Sequence, residues 1–232
     1  MREGRSIFCA SLVLRLYQLL ASETIRRRLR KTVVRLEGGP ANSLTIREIF
    51  RRFYRVDVGL YTPGPCGMKP TMFHQGTSIG RYASVAPTVR TFTRNHPMNL
   101  RSTHALFYNP SMGVARCGPV QFGRLVIGHG AVIGHNAIIV PPTERIGDGA
   151  YVTPGSVVCT NVPAYAIVSG FPARVTGYRF DQETTALLTE SKWWERTPSE
   201  LLACGDDFHG VLLGSDNAPD RHAADLPSAL WK

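Results

Sequence analysis

The sequence lacks the features that mark disulfide-stabilised, zinc-binding or membrane-spanning chains. Its five cysteines are widely spaced and form no CxxC pair, so we predict neither a disulfide framework nor a zinc site. The longest apolar run, 7–20, is interrupted by Arg15 and falls short of the roughly 20 residues of a membrane span. No small-residue cleavage site follows it, which disfavours a signal peptide. We therefore expect a folded cytoplasmic protein.

Basic residues are concentrated near the N-terminus and outnumber the acidic ones there. Residues 1–60 carry 13 Lys and Arg against 5 Asp and Glu, a net charge of +8, whereas the other 172 residues carry a net of +2. Within the helical segment predicted at 1–45, apolar residues recur at helical spacing: Leu12, Val13, Leu16, Leu19 and Leu20. A basic run follows, and we expect no nucleic-acid partner. The helix either packs on the domain or a partner subunit, which we favour, or contacts an anionic membrane.

The region 46–180 contains an internal repeat of six residues. From Ile127 the chain reads IGHGAV, IGHNAI, the seven-residue unit IVPPTER, then IGDGAY, VTPGSV and VCTNVP. Two units upstream, IGRYAS and VAPTVR at 79–90, fit the same frame. Each unit opens with an aliphatic residue.

A period of six indicates short strands joined by tight turns, with three strands closing each turn of a three-sided solenoid. The opening aliphatic residue then points into the core. A β-sandwich would show turn signals every 8–12 residues instead. The extra residue of IVPPTER should bulge one corner, and Ile146 should restore the register.

The repeat stops at the polar and aromatic segment 91–123, which we predict to be a protruding loop of functional importance. Residues 181–205 read as helices, with Asp181 as an N-cap and Pro198 opening a second short helix. Leu187, Leu188 and Trp194 would form the apolar stripe. We expect a loose tail at 206–232.

Three segments together resemble a known family: VPAYAIVSGFPARV at 162–175, NHPMNLRSTHALFYN at 95–109 and KWWERTPSELL at 192–202. They are similar to the hexapeptide-repeat acyltransferases, in the xenobiotic branch that includes chloramphenicol and streptogramin acetyltransferases and related sugar O-acetyltransferases. The resemblance implies a left-handed parallel β-helix, an all-β solenoid with helices at its two ends. It also implies a homotrimer with active sites between subunits, and acetyl-CoA bound along a prism edge.

The resemblance makes His96 the catalytic base. Acyl transfer to an alcohol needs a base, and an imidazole titrates near neutrality. Asn95, Ser102, Thr103 and Tyr108 would orient the acceptor or His96, or would only stabilise the loop. His104 is a second candidate base and ranks below His96. Ala105 stands where relatives often have proline.

The same resemblance assigns acetyl-CoA contacts to five residues: His135, Pro154, Gly155, Thr160 and Arg174. The turn at Pro154 and Gly155 would meet the pantetheine arm, and Arg174 would lie near the nucleotide phosphates, which a guanidinium binds bidentately. Relatives often read TKD where this chain has Cys159, Thr160 and Asn161, so one lysine contact to phosphate is missing.

His129 and His135 hold equivalent places in consecutive units and raise the alternative of a metal site. The γ-class carbonic anhydrases share this fold and bind zinc through three histidines across a subunit boundary. Their paired ligands are expected five residues apart, but six separate these two, and the expected upstream unit has no third histidine. We therefore predict no metal.

The leading hypothesis is an acetyl-CoA-dependent O-acetyltransferase acting on a hydroxyl of a sugar or glycan precursor. An antibiotic O-acetyltransferase is the alternative within the class. A metal-dependent hydratase and a non-catalytic trimeric scaffold, held to a membrane or a partner by the basic segment, are the alternatives outside it.

Overall fold

The structure is a computed structural model that describes residues 10–112 and 123–203. The expected tail at 206–232, residues 113–122 of the predicted loop and three of the five cysteines lie outside these ranges. The described α-helices are α1 (Ala10–Leu19), α2 (Glu23–Leu36), α3 (Leu44–Ile49), α4 (Pro63–Gly67), α5 (Gln182–Ser191) and α6 (Pro198–Ala203). A π-helical turn, Phe50–Tyr54, extends α3 towards the first strand.

The described strands form three sheets. They are β1 (Asp57–Val58), β2 (Thr77–Ile79), β3 (Ser84–Val85), β4 (Arg90–Thr91), β5 (Leu125–Ile127), β6 (Val132–Ile133), β7 (Ile138–Ile139), β8 (Arg145–Ile146), β9 (Tyr151–Val152), β10 (Val157–Val158), β11 (Ala166–Gly170) and β12 (Ala173–Tyr178). The strand orders are β1-β2-β5-β8, β10-β7-β4 and β12-β11-β9-β6-β3. Every described strand pair is parallel except the hairpin of β11 and β12.

The chain visits the three sheets in rotation. β2, β3 and β4 lie one in each sheet, and β5 to β7 and β8 to β10 repeat the same order. Ile79 pairs with Ile127, and Ile127 with Ile146. Nineteen residues separate the last two, which is three units of six and the one extra residue of IVPPTER. The predicted frame and its restoration at Ile146 are therefore confirmed.

The residues that open the units form the core between the sheets. Ile127, Ile139, Ile146 and Val152 are fully buried, and Ile133 is 1% exposed. Burying one such aliphatic side chain contributes about 1.5–3 kcal/mol. The alanines at the fifth place of their units, Ala131, Ala137 and Ala150, are fully buried as well, so two positions of the six-residue pattern form the core.

The seven-residue unit is closed by polar side chains. The Oδ1 atom of Asn161 accepts hydrogen bonds from the backbone N–H groups of Glu144 (2.8 Å) and Arg145 (2.9 Å). The buried hydroxyl of Thr143 donates to the carbonyl oxygen of Val158 at 3.2 Å. These contacts satisfy the backbone groups that the bulge takes out of the regular ladder.

Two buried charges join the N-terminal helices to the first strands. The Arg47 guanidinium donates to the carbonyl oxygens of Pro40, Ala41, Ser43, Gly59 and Thr62. The Glu37 carboxylate accepts from the side chains of Ser43 and Thr45 and from the Thr45 N–H. Buried charges need such partners.

The face of α1 that packs includes only part of the predicted stripe. Val13 and Tyr17 are buried, but Leu12 (55% exposed), Leu16 (46%) and Leu19 (81%) face outward. The reason is polar, because the Tyr17 hydroxyl accepts from Arg30 Nη1 at 2.6 Å and lies 2.7 Å from the Tyr54 hydroxyl. Within the described ranges, no helix combines the length and the apolar character that crossing a membrane requires.

The C-terminal helices begin where the sequence predicts. The Asp181 side chain accepts from the Thr184 N–H at 2.7 Å and caps α5, and Pro198 opens α6. The predicted apolar stripe holds only in part, since Trp194 is buried but Leu187 is 62% exposed. No side chain of α5 is buried in this chain alone.

Candidate active site

The turns between the sheets stack on one another in three columns, which position the predicted site residues. The first turn stack joins β2 to β3, β5 to β6 and β8 to β9. The second joins β3 to β4, β6 to β7 and β9 to β10. The third joins β7 to β8 and follows β10, and the loop that contains His96 takes the place of its first turn.

The His96 loop is anchored at both ends on one buried residue. The carbonyl oxygen of Thr93 accepts from the Gly123 N–H at 2.8 Å, which brings the two ends of the loop together. The Thr93 hydroxyl donates to the Gln75 carbonyl oxygen at 3.1 Å and also contacts His74 Nδ1. Thr93 is only 6% exposed, so the base of the loop belongs to the packed body.

His96 is held through one nitrogen of its ring. Its Nδ1 lies 3.0 Å from the carbonyl oxygen of Thr103 and 2.7 Å from the Tyr108 hydroxyl. The Thr103 carbonyl oxygen can only accept, so this contact is a hydrogen bond when Nδ1 carries the hydrogen, and the Tyr108 hydroxyl then accepts from the same N–H. In the neutral ring Nε2 then keeps its lone pair, and the exposed side chain presents it to solvent. The Tyr108 ring packs edge-on, 5.7 Å from the imidazole.

His104, the second candidate base, has the opposite arrangement. Its Nδ1 accepts from the Leu106 N–H at 3.2 Å, so in the neutral ring the hydrogen sits on Nε2 and no lone pair is free. The Ser102 hydroxyl accepts from the His104 N–H at 3.3 Å, which stabilises the loop itself. Asn95 is exposed beside His96. The hydrogen bonds thus favour His96 over His104 as a base, because in the neutral His104 ring the remaining lone pair is already used.

The second turn stack brings together three of the five residues predicted to contact acetyl-CoA. The Gly155 N–H donates to the His135 carbonyl oxygen at 2.8 Å, and Pro154 stands beside Gly155. All three are exposed. Gly155 has a φ of +74°, and a Cβ built there would meet no atom within 4 Å. This turn is therefore open to solvent.

Thr88 is a residue of this stack that the sequence analysis missed. Its hydroxyl lies 3.2 Å from His135 Nδ1 and accepts from the Asn136 N–H at 2.7 Å. Thr88 and His135 hold comparable turns of units stacked one above the other. The only sequence signal for the contact between Thr88 and His135 was the six-residue frame that both residues share, and the long loop between them interrupts that frame.

Thr160 and Arg174 lie on other elements. Thr160 is exposed in the third turn stack, the stack from which the His96 loop departs, and its carbonyl oxygen accepts from the Thr143 hydroxyl at 3.4 Å. Arg174 is exposed on β12, where Nη1 donates to the Ala173 carbonyl oxygen at 3.1 Å. Its guanidinium remains available to a ligand.

The first turn stack is covered by aromatic side chains. His129 Nδ1 accepts from the Arg81 N–H at 2.9 Å, and its ring stacks on Trp194 with centroids 5.0 Å apart and planes 3° apart. Burial lowers the pKa of His129. Trp193 covers Gly130 and packs 5.4 Å from Tyr82. His129 is thus a packing residue, and no group of three metal-ligand side chains occurs in the described parts of the chain.

Comparison with known proteins identifies the family. No protein-family model matches the chain. A chloramphenicol acetyltransferase of Morganella morganii is 33% identical over 145 residues, which are 57% of this chain and 68% of that protein. The chain belongs to the hexapeptide-repeat acyltransferases, in their xenobiotic acetyltransferase branch. The resemblance seen in the sequence is confirmed.

Other known proteins match different shares of the chain. The chain spans only 61% of the chloramphenicol acetyltransferase of Agrobacterium fabrum, at 36% identity over 130 residues, 53% of this chain. A dTDP-3-amino-3,6-dideoxy-alpha-D-galactopyranose 3-N-acetyltransferase of Aneurinibacillus thermoaerophilus is 47% identical over 60 residues, 26% of this chain and 31% of that protein. Among solved structures, a maltose O-acetyltransferase from Clostridium difficile 630 has 18% identity, covers 75% of this chain and 86% of its own, and has a TM-score of 0.39.

Proposed function

We propose that this chain is an acetyl-CoA-dependent O-acetyltransferase that acts on a hydroxyl of a sugar or glycan precursor in the cytoplasm, with His96 as general base. The observation that carries the proposal is the hydrogen bonding of His96, whose Nδ1 contacts Thr103 and Tyr108 while Nε2 has no hydrogen bond to the residues that the structure describes. A fixed tautomer with an exposed basic nitrogen is what proton abstraction from an alcohol requires.

In the proposed reaction, Nε2 takes the proton of the acceptor hydroxyl as its oxygen attacks the thioester carbonyl. The tetrahedral intermediate then loses the CoA thiolate, and Nε2 returns the proton to that sulfur. The products are an acetyl ester and CoA. The Thr103 carbonyl stabilises the imidazolium that forms, because the charge-assisted N–H···O bond is the stronger one. General-base catalysis of this kind contributes about 10²–10⁴-fold.

The proposed donor site is the open second turn stack. The three parallel sheets would be the sides of a left-handed β-helix, and acetyl-CoA would run along the edge that carries His135, Pro154 and Gly155. Thr160 would contact the same ligand near the root of the His96 loop, and the free guanidinium of Arg174 would bind a phosphate. Two chains of a homotrimer would complete each active site. The proposal includes no metal.

The proposal names two candidate acceptors, a sugar and an antibiotic. A sugar is supported by the amino-sugar acetyltransferase that is 47% identical over 60 residues. An antibiotic acceptor is the second candidate, because the Morganella and Agrobacterium relatives are chloramphenicol acetyltransferases. Release of the CoA thiol, measured with a panel of sugars, sugar nucleotides and chloramphenicol, separates the two.

The His96→Ala variant tests the mechanism. We expect turnover to fall by at least about 10²-fold because the general base is lost. His104→Ala is the matched control in the same loop, and it should keep turnover within a few-fold of wild type. Turnover of His96→Ala above a tenth of wild type, or an equal loss in both variants, would refute the assignment.

A further inference from the structure

A cleft between α2 and the α4 segment collects several cationic side chains of the N-terminal region. It has a volume of about 600 Å³ and is lined by Glu23, Thr24, Arg27, Arg30, Lys31, Val34, Arg35, Cys66, Gly67, Met68 and Lys69. Five of these side chains are cationic and one is acidic. The volume lies within the range of small-molecule sites.

The one acidic side chain is already engaged. Glu23 Oε1 accepts from Arg30 Nη2 at 2.8 Å, and the buried Arg30 also donates to the Tyr17 hydroxyl. This pair forms a fixed, neutral part of the wall. Arg27, Lys31, Arg35 and Lys69 are exposed, and none of them has an ion pair with an acidic residue of the described ranges.

The helix places three of these cations in one row. Arg27, Lys31 and Arg35 follow one another at intervals of four residues, so they stand about 6 Å apart along the axis of α2. Like charges at this spacing destabilise a helix. An anion in the cleft would remove this penalty.

The chemistry of the lining favours linked phosphate groups. The row is long enough to engage more than one phosphate, and Arg27 and Arg35 can each bind phosphate oxygens bidentately. No aromatic side chain occurs among the described lining residues, so the cleft offers no surface on which nucleic-acid bases could stack.

We infer that this cleft is an anion-binding site for a ligand with two or more linked phosphate groups, separate from the proposed acetyl-CoA site. The site is independent of the catalytic role of His96. Its ligand is either a free diphosphate compound or the headgroup of an anionic lipid that carries two phosphates.

Calorimetric titration of the full chain with inorganic pyrophosphate tests the free ligand. We expect saturable binding that weakens with added salt and that Lys31→Gln weakens by roughly 10- to 100-fold, as for the loss of a charge-assisted hydrogen bond. Arg28→Gln is the matched control. Arg28 lies on the same helix and is exposed, but it does not line the cleft, so its loss should change the affinity less than twofold.

Co-sedimentation with vesicles that contain cardiolipin, whose headgroup links two phosphates through a glycerol, tests the lipid against phosphatidylcholine vesicles. Binding to the anionic vesicles alone, lost in Lys31→Gln and kept in Arg28→Gln, would assign the site to a lipid headgroup. The inference is overturned if wild type binds neither probe saturably, or if both variants have the same effect. A parallel loss of CoA affinity in Lys31→Gln would make the cleft part of the donor site and would also overturn it. Arg27→Gln is a second variant of the cleft and should weaken binding as Lys31→Gln does. Thermal unfolding of all variants checks that they are folded.

Discussion

The first and second turn stacks are built from the same repeat and have opposite surroundings. His129 and His135 hold the same place in consecutive units. His129 is stacked on Trp194 and accepts from a backbone N–H, whereas His135 is exposed and its ring contacts the Thr88 hydroxyl of the neighbouring turn. The difference arises outside the repeat, because the segment after β12 brings two tryptophans onto the first stack. A repeat position alone therefore does not define a role.

The same contrast holds for the glycines of the two stacks. Gly149 and Gly155 both have positive φ, +64° and +74°. A Cβ at Gly149 would overlap the buried ring of Tyr165, but at Gly155 it would meet nothing within 4 Å. The first stack is thus closed by packing, and the second is open to solvent.

The largest expected effect is on the stability of the first stack. Gly149→Ala should destabilise the chain by about 2–5 kcal/mol, because a left-handed conformation of alanine costs about 1–2 kcal/mol and overpacking adds about 1–3. Gly155→Ala is the matched control and should lose only the conformational part. Urea unfolding of both variants checks this. Equal losses of unfolding free energy in the two variants would contradict the proposed difference between the stacks.

Alanine variants of His129 and His135 should differ in effect, the first on the free energy of unfolding and the second on acetyl-CoA binding. His129→Ala leaves the Arg81 N–H without its acceptor and should lower the free energy of unfolding by about 1–3 kcal/mol. His135→Ala should change it by less than about 0.5 kcal/mol, as for an exposed side chain. His135→Ala should instead raise the apparent KM for acetyl-CoA while kcat changes little. An unchanged KM would remove His135 from the donor site.

The smallest expected effect is a dependence of stability on pH. Burial lowers the pKa values of His129 and His74, so below about pH 6.5 the unfolded chain binds protons that the folded chain does not. Stability is therefore full above this pH and falls as the pH decreases towards the folded-state values. His129→Gln should flatten part of the slope between pH 7.5 and 5.5, measured by urea unfolding. A slope unchanged from wild type would contradict the burial of His129.

The sequence predicts the core better than it predicts the site. The opening residue of each unit identifies the buried positions, because one six-residue period fixes both the strand and its inward face. His96 could be named from its loop, but its tautomer depends on the carbonyl oxygen of Thr103, which has no sequence signal. The contact of Thr88 with His135 joins residues 47 positions apart, across a loop whose length hides the frame.

The N-terminal helices show a second limit of sequence patterns. The leucines at helical spacing predict a packed stripe, yet Leu12 and Leu19 are exposed. The packed face is selected by the pairing of Tyr17 with Arg30, and a hydrophobic pattern cannot register a polar contact between two helices. Arg30 also donates to the Glu23 carboxylate, so Glu23 does not neutralise the other cations of the cleft.

A crystal structure of the complex with acetyl-CoA tests the central claim most directly. We predict that the pantetheine arm lies along the second turn stack against Pro154 and Gly155, with the thioester carbon near Nε2 of a His96 side chain. Electron density for the ligand along the first turn stack, or a thioester far from every His96, would contradict the account.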